Sequence, residues 1–182
     1  MDETSASGLE LPEKYFYGYE HLEEINLVYI KKEAVDNPKT IDFLTRCFSE
    51  CVSLVDINLY NLTVGNLSEY VFENCRNFTN ANGNFSNLPV YPRGAFFGCN
   101  RLHITLNGTT EIGNYAFVAC NELGNLVIPN TVTAVGSEAF AYSVGPTLNV
   151  DFTAAEIAAK NVEEGDWYHW NMDFFGTINY KA

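Results

Sequence analysis

Positive charge is scarce in this chain. Ten Lys and Arg face 23 Asp and Glu, a net charge of −13 at neutral pH, and charged residues make up only 18% of the sequence. Long-range repulsion therefore argues against nucleic acid and anionic membrane surfaces as partners. Long apolar runs are missing too. None approaches the roughly 18 residues that suggest a transmembrane span, so no membrane insertion is expected. The phosphate-binding G-x-x-x-x-G-K-(S/T), the nucleophile elbow G-x-S-x-G and the metal-binding H-E-x-x-H are all absent. So are C-x-x-C, which would suggest a zinc ribbon or a redox pair, and a calcium loop of the D-x-D-x-D-G type. Histidine occurs three times, as His21, His103 and His169. Met1–Gly8 shows neither a basic n-region nor an apolar h-region, so it is no signal peptide. No catalytic residue, metal site or cofactor is predicted.

Apolar material is plentiful: 47% of 182 residues are hydrophobic, enough for one domain with a sizeable core. Its arrangement is periodic. Phe-x-x-Cys recurs at Phe48–Cys51, Phe72–Cys75, Phe96–Cys99 and Phe117–Cys120. Phe140–Ser143 and Phe16–Tyr19 repeat the spacing with another last residue. Successive phenylalanines lie 32, 24, 24, 21 and 23 residues apart. Each unit is followed by apolar residues in strand register: Leu22, Ile25, Leu27; Leu54, Ile57, Leu59; Leu123, Leu126, Ile128. Leu102, Ile104 and Leu106 run one residue short, and Phe78, Ala81 and Gly83 form the weakest copy.

One such unit cannot bury its own apolar face, whereas stacked units can, with strands about 4.8 Å apart. The predicted fold is an α/β repeat solenoid. It is a short curved leucine-rich-repeat stack of about six units, with a β-strand ladder on one face and short helical turns on the other. Phe and Cys three apart share one side of a helical turn and point inward. Four cysteines then form an internal column, and Cys47 joins the small-residue slot of Ala95, Ala116 and Ala139. Free buried thiols are the favoured reading. A stacked pair oxidised to a disulfide and a metal site remain as alternatives. Cys99 with His103 is a formal nucleophile pair, but a buried thiol makes a poor one.

The stretch Ile112-Gly113-x-x-Ala116-Phe117-x-x-Cys120-x-x-Leu123-x-x-Leu126-x-Ile128-Pro129-x-x-Val132 resembles the BspA-type leucine-rich repeat of surface proteins. The resemblance runs from about Phe16 to Val150. It implies extracellular display, adhesion and protein recognition without catalysis, and it names no ligand. A cytosolic chain and a mature exported fragment both fit the polar N-terminus, and the resemblance favours the exported, extracellular or cell-surface reading.

Three regions are predicted: a disordered polar leader at 1–14, the solenoid at 15–150 and a C-terminal cap at 151–182. In the long first step, Asn37-Pro38 followed by Ile41, Leu44 and Phe48 predicts a helix over 38–47. Thr153-Ala-Ala-Glu156 reads as a capping box that opens a helix to about Val162. Trp167 and Trp170 then cover the last repeat, or, together with Tyr168, form a sugar-stacking platform.

Candidate function lies on the strand face. The residue between the last two core positions of each strand points outward. In order these are Asn26, Asn58, Asn82, Thr105, Val127 and Asn149. Glu24, Asp56, His103 and Asn125 share the exposed register. The candidate binding set is Glu24, Asn26, Asp56, Asn58, His103, Thr105, Asn125 and Asn149. Such an amide stripe suits a host or matrix protein, another surface protein, or a glycan. Alternatively its amides bond to one another and stabilise the stack, which would suit a structural spacer of a larger surface protein. Asn-x-Ser/Thr occurs at Asn61, Asn66, Asn77, Asn84 and Asn107, a mild excess over chance. A host that glycosylates would coat one flank of the repeat.

Overall fold

The computed structural model describes residues 9–30, 39–143, 147–156 and 177–182. The predicted N-cap at Asn37-Pro38 and the cap residues Trp167, Tyr168 and Trp170 lie outside them. Among the described residues the strands are β1 (Leu9–Leu11), β2 (Glu24–Val28), β3 (Lys39–Phe43), β4 (Asp56–Tyr60), β5 (Leu62–Leu67), β6 (Val90–Tyr91), β7 (Glu111–Ile112), β8 (Asn125–Ile128), β9 (Ala134–Val135), β10 (Thr147–Val150) and β11 (Ile178–Tyr180).

Every pairing is parallel and joins one coil to the next. One side of the coil carries β2-β4 and then β8-β10-β11. Glu24, Asn26 and Val28 face Asp56, Asn58 and Tyr60 in register, and Asn125 and Val127 face Thr147 and Asn149. Two irregular coils bridge these sheets. Their backbone still links up: Val55 N donates to Glu23 O, Thr79 N to Val55 O and His103 N to Thr79 O. A second side carries β1-β3-β5 and β6-β7-β9. The repeat therefore has two strand-bearing sides where one was predicted. Leu9–Leu11, assigned to the polar leader from sequence, form β1 and pair with Ile41–Phe43.

The Phe-x-x-Cys segments form the third side, and they are not helical turns. The residues two before and two after each phenylalanine all have positive φ, Tyr70 and Asn74 around Phe72 for example. A right-handed helix cannot pass through such residues. Alternate N–H groups divide the work. Those of Cys47, Ser49 and Cys51 close tight turns onto Leu44 O, Arg46 O and Phe48 O. Those of Arg46, Phe48 and Glu50 reach across to Glu69 O, Val71 O and Glu73 O of the next coil. The turns are thus a third hydrogen-bonded ladder, and helix geometry would have spent those donors within one coil.

The helix predicted over 38–47 is replaced by β3 and the start of such a turn. Its 41, 44, 48 spacing arises because Ile41 and Phe43 are buried strand residues and Phe48 is a buried turn residue. Only 154–156 is helical among the described residues. The predicted capping box opens it: Thr153 N and Oγ donate to Glu156 Oε2, and Glu156 N donates to Thr153 Oγ1.

The core sits between the three sides. Phe16, Phe48, Phe72, Phe96, Phe117 and Phe140 stack face to face, with centroids 5.1 to 5.8 Å apart and rings within 9° of parallel. Leu102, Ile104 and Leu106 are buried as predicted, although no strand forms there. The weakest copy is built differently. Ala81 and Gly83 are exposed, and Phe85 fills the core beside Phe43 and Phe72. Buried Asn80 holds that detour by accepting from Phe85 N and donating to Ser86 Oγ and His103 O.

Gly113 and Gly136 follow Ile112 and Val135 where the second strand enters the turn. A Cβ on Gly113 would lie 2.7 Å from Arg93 N, and one on Gly136 would lie 2.3 Å from Asn114 N. These glycines exist because the backbone of the preceding coil runs against them.

Candidate functional site

The outward residues of the first side form a hydrogen-bonded amide row. Asn58 Nδ2 donates to Asn26 Oδ1 at 2.9 Å and also to the Glu24 carboxylate. Asn82 Nδ2 donates to Asn58 Oδ1. The parallel register sets the row, because Asn26 and Asn58 are direct Cα partners. Thr105 interrupts it, donating Oγ1 to Asn87 Oδ1 at 2.9 Å. The amide row resumes where Asn179 Nδ2 donates to Asn149 Oδ1 at 3.0 Å.

Most of the predicted set reaches solvent. Glu24, Asn26, His103, Thr105 and Asn125 are exposed, and Asn58 and Asn149 are half-buried. The His103 ring stands 3.9 Å from the Glu122 carboxylate. Asp56 is the exception. It is buried, with Oδ1 accepting from Ile57 N at 2.8 Å and Oδ2 from Asn82 N at 3.0 Å. The irregular third coil folds over it, and its carboxylate pins that coil instead of meeting a ligand. Asn125 and exposed Val127 make no side-chain hydrogen bond among the described residues, so they are the freest part of the face.

Asn179 and Asn87 escaped the sequence reading. Ile178-Asn179-Tyr180 repeats the apolar-Asn-apolar text of Leu148-Asn149-Val150 and carried that signal. Asn87 carried none. It acts through a single Oδ1 that accepts from both Thr105 Oγ1 and Asn107 N.

The thiols do not supply a nucleophile. All five cysteines are buried and unpaired. Burial raises every one: Cys51 to about 11, Cys47 to about 12, and Cys75, Cys99 and Cys120 further up. They remain neutral at physiological pH, whereas a reactive cysteine needs thiolate and exposure. Each column thiol has a structural partner: Cys51, Cys75, Cys99 and Cys120 donate Sγ–H to the carbonyls of Phe16, Phe48, Phe72 and Phe96. Ser143 donates its hydroxyl to Phe117 O in the same way.

Among the described residues no cluster of three His, Cys, Asp or Glu is placed to hold a metal ion. No helix there is long and apolar enough to cross a membrane. The Asn-x-Ser/Thr sites do not share one flank. Asn61 precedes β5 and Asn66 lies within it on the second side, whereas Asn77 follows a turn of the third.

Comparison with protein-family models matches the BspA type leucine rich repeat region in six copies over residues 9–149. No curated protein and no solved structure matches the chain. Proteins carrying this repeat are generally surface-associated binding proteins and typically non-enzymatic.

Proposed function

The chain belongs to the BspA-type leucine-rich repeat family, and on that premise we propose that it is a surface-displayed or secreted, non-enzymatic binding module. It engages a host, matrix or neighbouring surface protein through the β2-β4 and β8-β10-β11 side. The supporting observation is the register. Parallel pairing lines up the outward residues of successive coils into two polar stretches, Asn26-Asn58-Asn82 and Asn149-Asn179, with Asn125 and Val127, which make no side-chain hydrogen bond among the described residues, between them. Each coil contributes one or two side chains to such a row, so the scaffold stays constant while the displayed text varies.

The Asn125→Arg, Val127→Arg double variant tests this. Both residues are exposed and hold no side-chain hydrogen bond among the described residues, so the melting temperature should stay within about 2 °C. Purified wild type and variant are compared on a panel of immobilised extracellular-matrix and surface proteins. The reading requires a wild-type hit that the variant loses. A hit that both retain places the interface elsewhere.

The amide bonds themselves favour a second reading. Asn26, Asn58 and Asn82 satisfy one another, as residues of a structural spacer would. A blank panel with a correctly folded wild type supports the spacer.

A further inference from the structure

Two arginines that are unpaired among the described residues line one groove of this strongly acidic chain. Arg76 and Arg101 follow the Cys75 and Cys99 turns on adjacent coils and line one open groove on the third side. Both are exposed, and neither has an ion-pair or hydrogen-bond partner for its guanidinium among the described residues. The other described arginines are engaged: Arg46 with the Glu73 carboxylate and the Tyr70 ring, Arg93 with Tyr70 OH and the Tyr115 ring. Nearby carboxylates are committed as well. Glu73 accepts from Arg46 and Ser49, and Glu50 accepts from Asn74. No acidic side chain lines the groove.

The remaining walls are amides and carbon. Asn77 and Asn100 line the groove beside half-buried Phe97 and Gly98. Gly98 is locked as glycine, with φ of +74° and a would-be Cβ only 2.5 Å from Asn74 Oδ1, so no side chain rises from that part of the floor. The backbone offers little. Asn74 N, Arg76 N, Gly98 N and Asn100 N already donate to Phe97 O, Asn74 O, Val118 O and Gly98 O. The lining residues form turns and no strand, so there is no strand edge for a peptide to extend. Side chains supply most of the contacts a ligand can make here.

We propose that this groove binds a carboxylate-bearing glycan, a uronate or sialate residue. The Arg76 and Arg101 guanidinia grip the carboxylate, whose planar geometry they match. Asn77 and Asn100 meet hydroxyls as donors or acceptors, and the carbon face of the sugar lies over Phe97 and Gly98. This site is separate from the strand face proposed above.

The probes are a galacturonate oligomer and sialyllactose, each as free acid and as methyl ester, with a poly-glutamate peptide as a third anion. Affinities are measured by calorimetry at low salt for wild type, Arg76→Gln/Arg101→Gln and Asn125→Arg/Val127→Arg. At least one free-acid sugar should bind wild type, weaken with added salt, and lose about tenfold or more both as the ester and with the Arg76→Gln/Arg101→Gln protein. The strand-face variant should bind it unchanged, and poly-glutamate should bind more weakly. Failure of both free acids, equal binding of acid and ester, tighter binding of poly-glutamate, or no loss with Arg76→Gln/Arg101→Gln overturns the proposal. The ester comparison uses wild type alone, so it holds whatever the substitutions do to folding.

Discussion

Cys51, Cys75, Cys99 and Cys120 each place an S–H within reach of a phenylalanine carbonyl one coil earlier, and Ser143 places an O–H there. The Phe48 and Phe72 carbonyls also accept an N–H from their own coils, those of Cys51 and Cys75. The slot therefore selects a small side chain with a proton to give. The sequence showed its size and its inward direction, but the donor role appears only when the previous coil is in place. Cys99→Ala removes both volume and donor and should cost about 2 kcal/mol. Cys99→Ser keeps the donor and should cost less, reversing the usual preference of an apolar site. Urea melts of the two variants rank them. The raised thiols also set a pH limit. Their folded pKa values exceed the unfolded value near 9, so the unfolded state loses protons first as pH rises. Their stabilising contribution is complete below about pH 8.5 and declines through pH 9 to 11 and beyond. Urea midpoints taken across that range should fall for wild type, and fall less steeply for Cys75→Ser/Cys99→Ser.

The strands of the first side were legible because their apolar text alternates, and Leu126 and Ile128 are buried while Asn125 and Val127 are exposed. The turns were misread for a physical reason. A spacing of three brings Phe and Cys to one side in a helix, and it does the same in two overlapping tight turns. Only φ distinguishes them, and residues such as Ala119, Tyr115 and Glu138 do not advertise positive φ. Each non-glycine in that conformation costs roughly 1–2 kcal/mol, offset here by hydrogen bonds to the neighbouring coil. Ala119 therefore offers a clean test. In a helix Ala→Gly costs about 1 kcal/mol, whereas at φ of 55° Ala119→Gly should be neutral or stabilising. Gly136→Ala should act oppositely and cost about 3 kcal/mol, because its Cβ would collide with backbone that cannot yield. Gly124→Ala, with open space around its Cβ, should cost about 1 kcal/mol. Thermal melts of the three variants check the order.

At the scale of the molecule, six repeated turns give one continuous core whose aromatic column runs from Phe16 to Phe140. That order was readable because each unit announces itself locally. The detour at Asn80–Phe85 and the burial of Asp56 were not, since each depends on a coil contributed by text more than twenty residues away. A charge of −13 works against this compact stack, so raising NaCl from about 20 to 500 mM should raise the melting temperature by screening self-repulsion. The central claim is that all three sides are ladders joining coil to coil, which leaves only side chains to vary on the displayed face. Native-state amide exchange tests it most directly. The Phe72, Phe96 and Phe117 amides, bonded to Ala95 O, Ala116 O and Ala139 O, should exchange only through global unfolding. Their protection should equal that of the core strand amides of β7 and β8. Turn amides that exchange orders of magnitude faster than those strands would contradict the account.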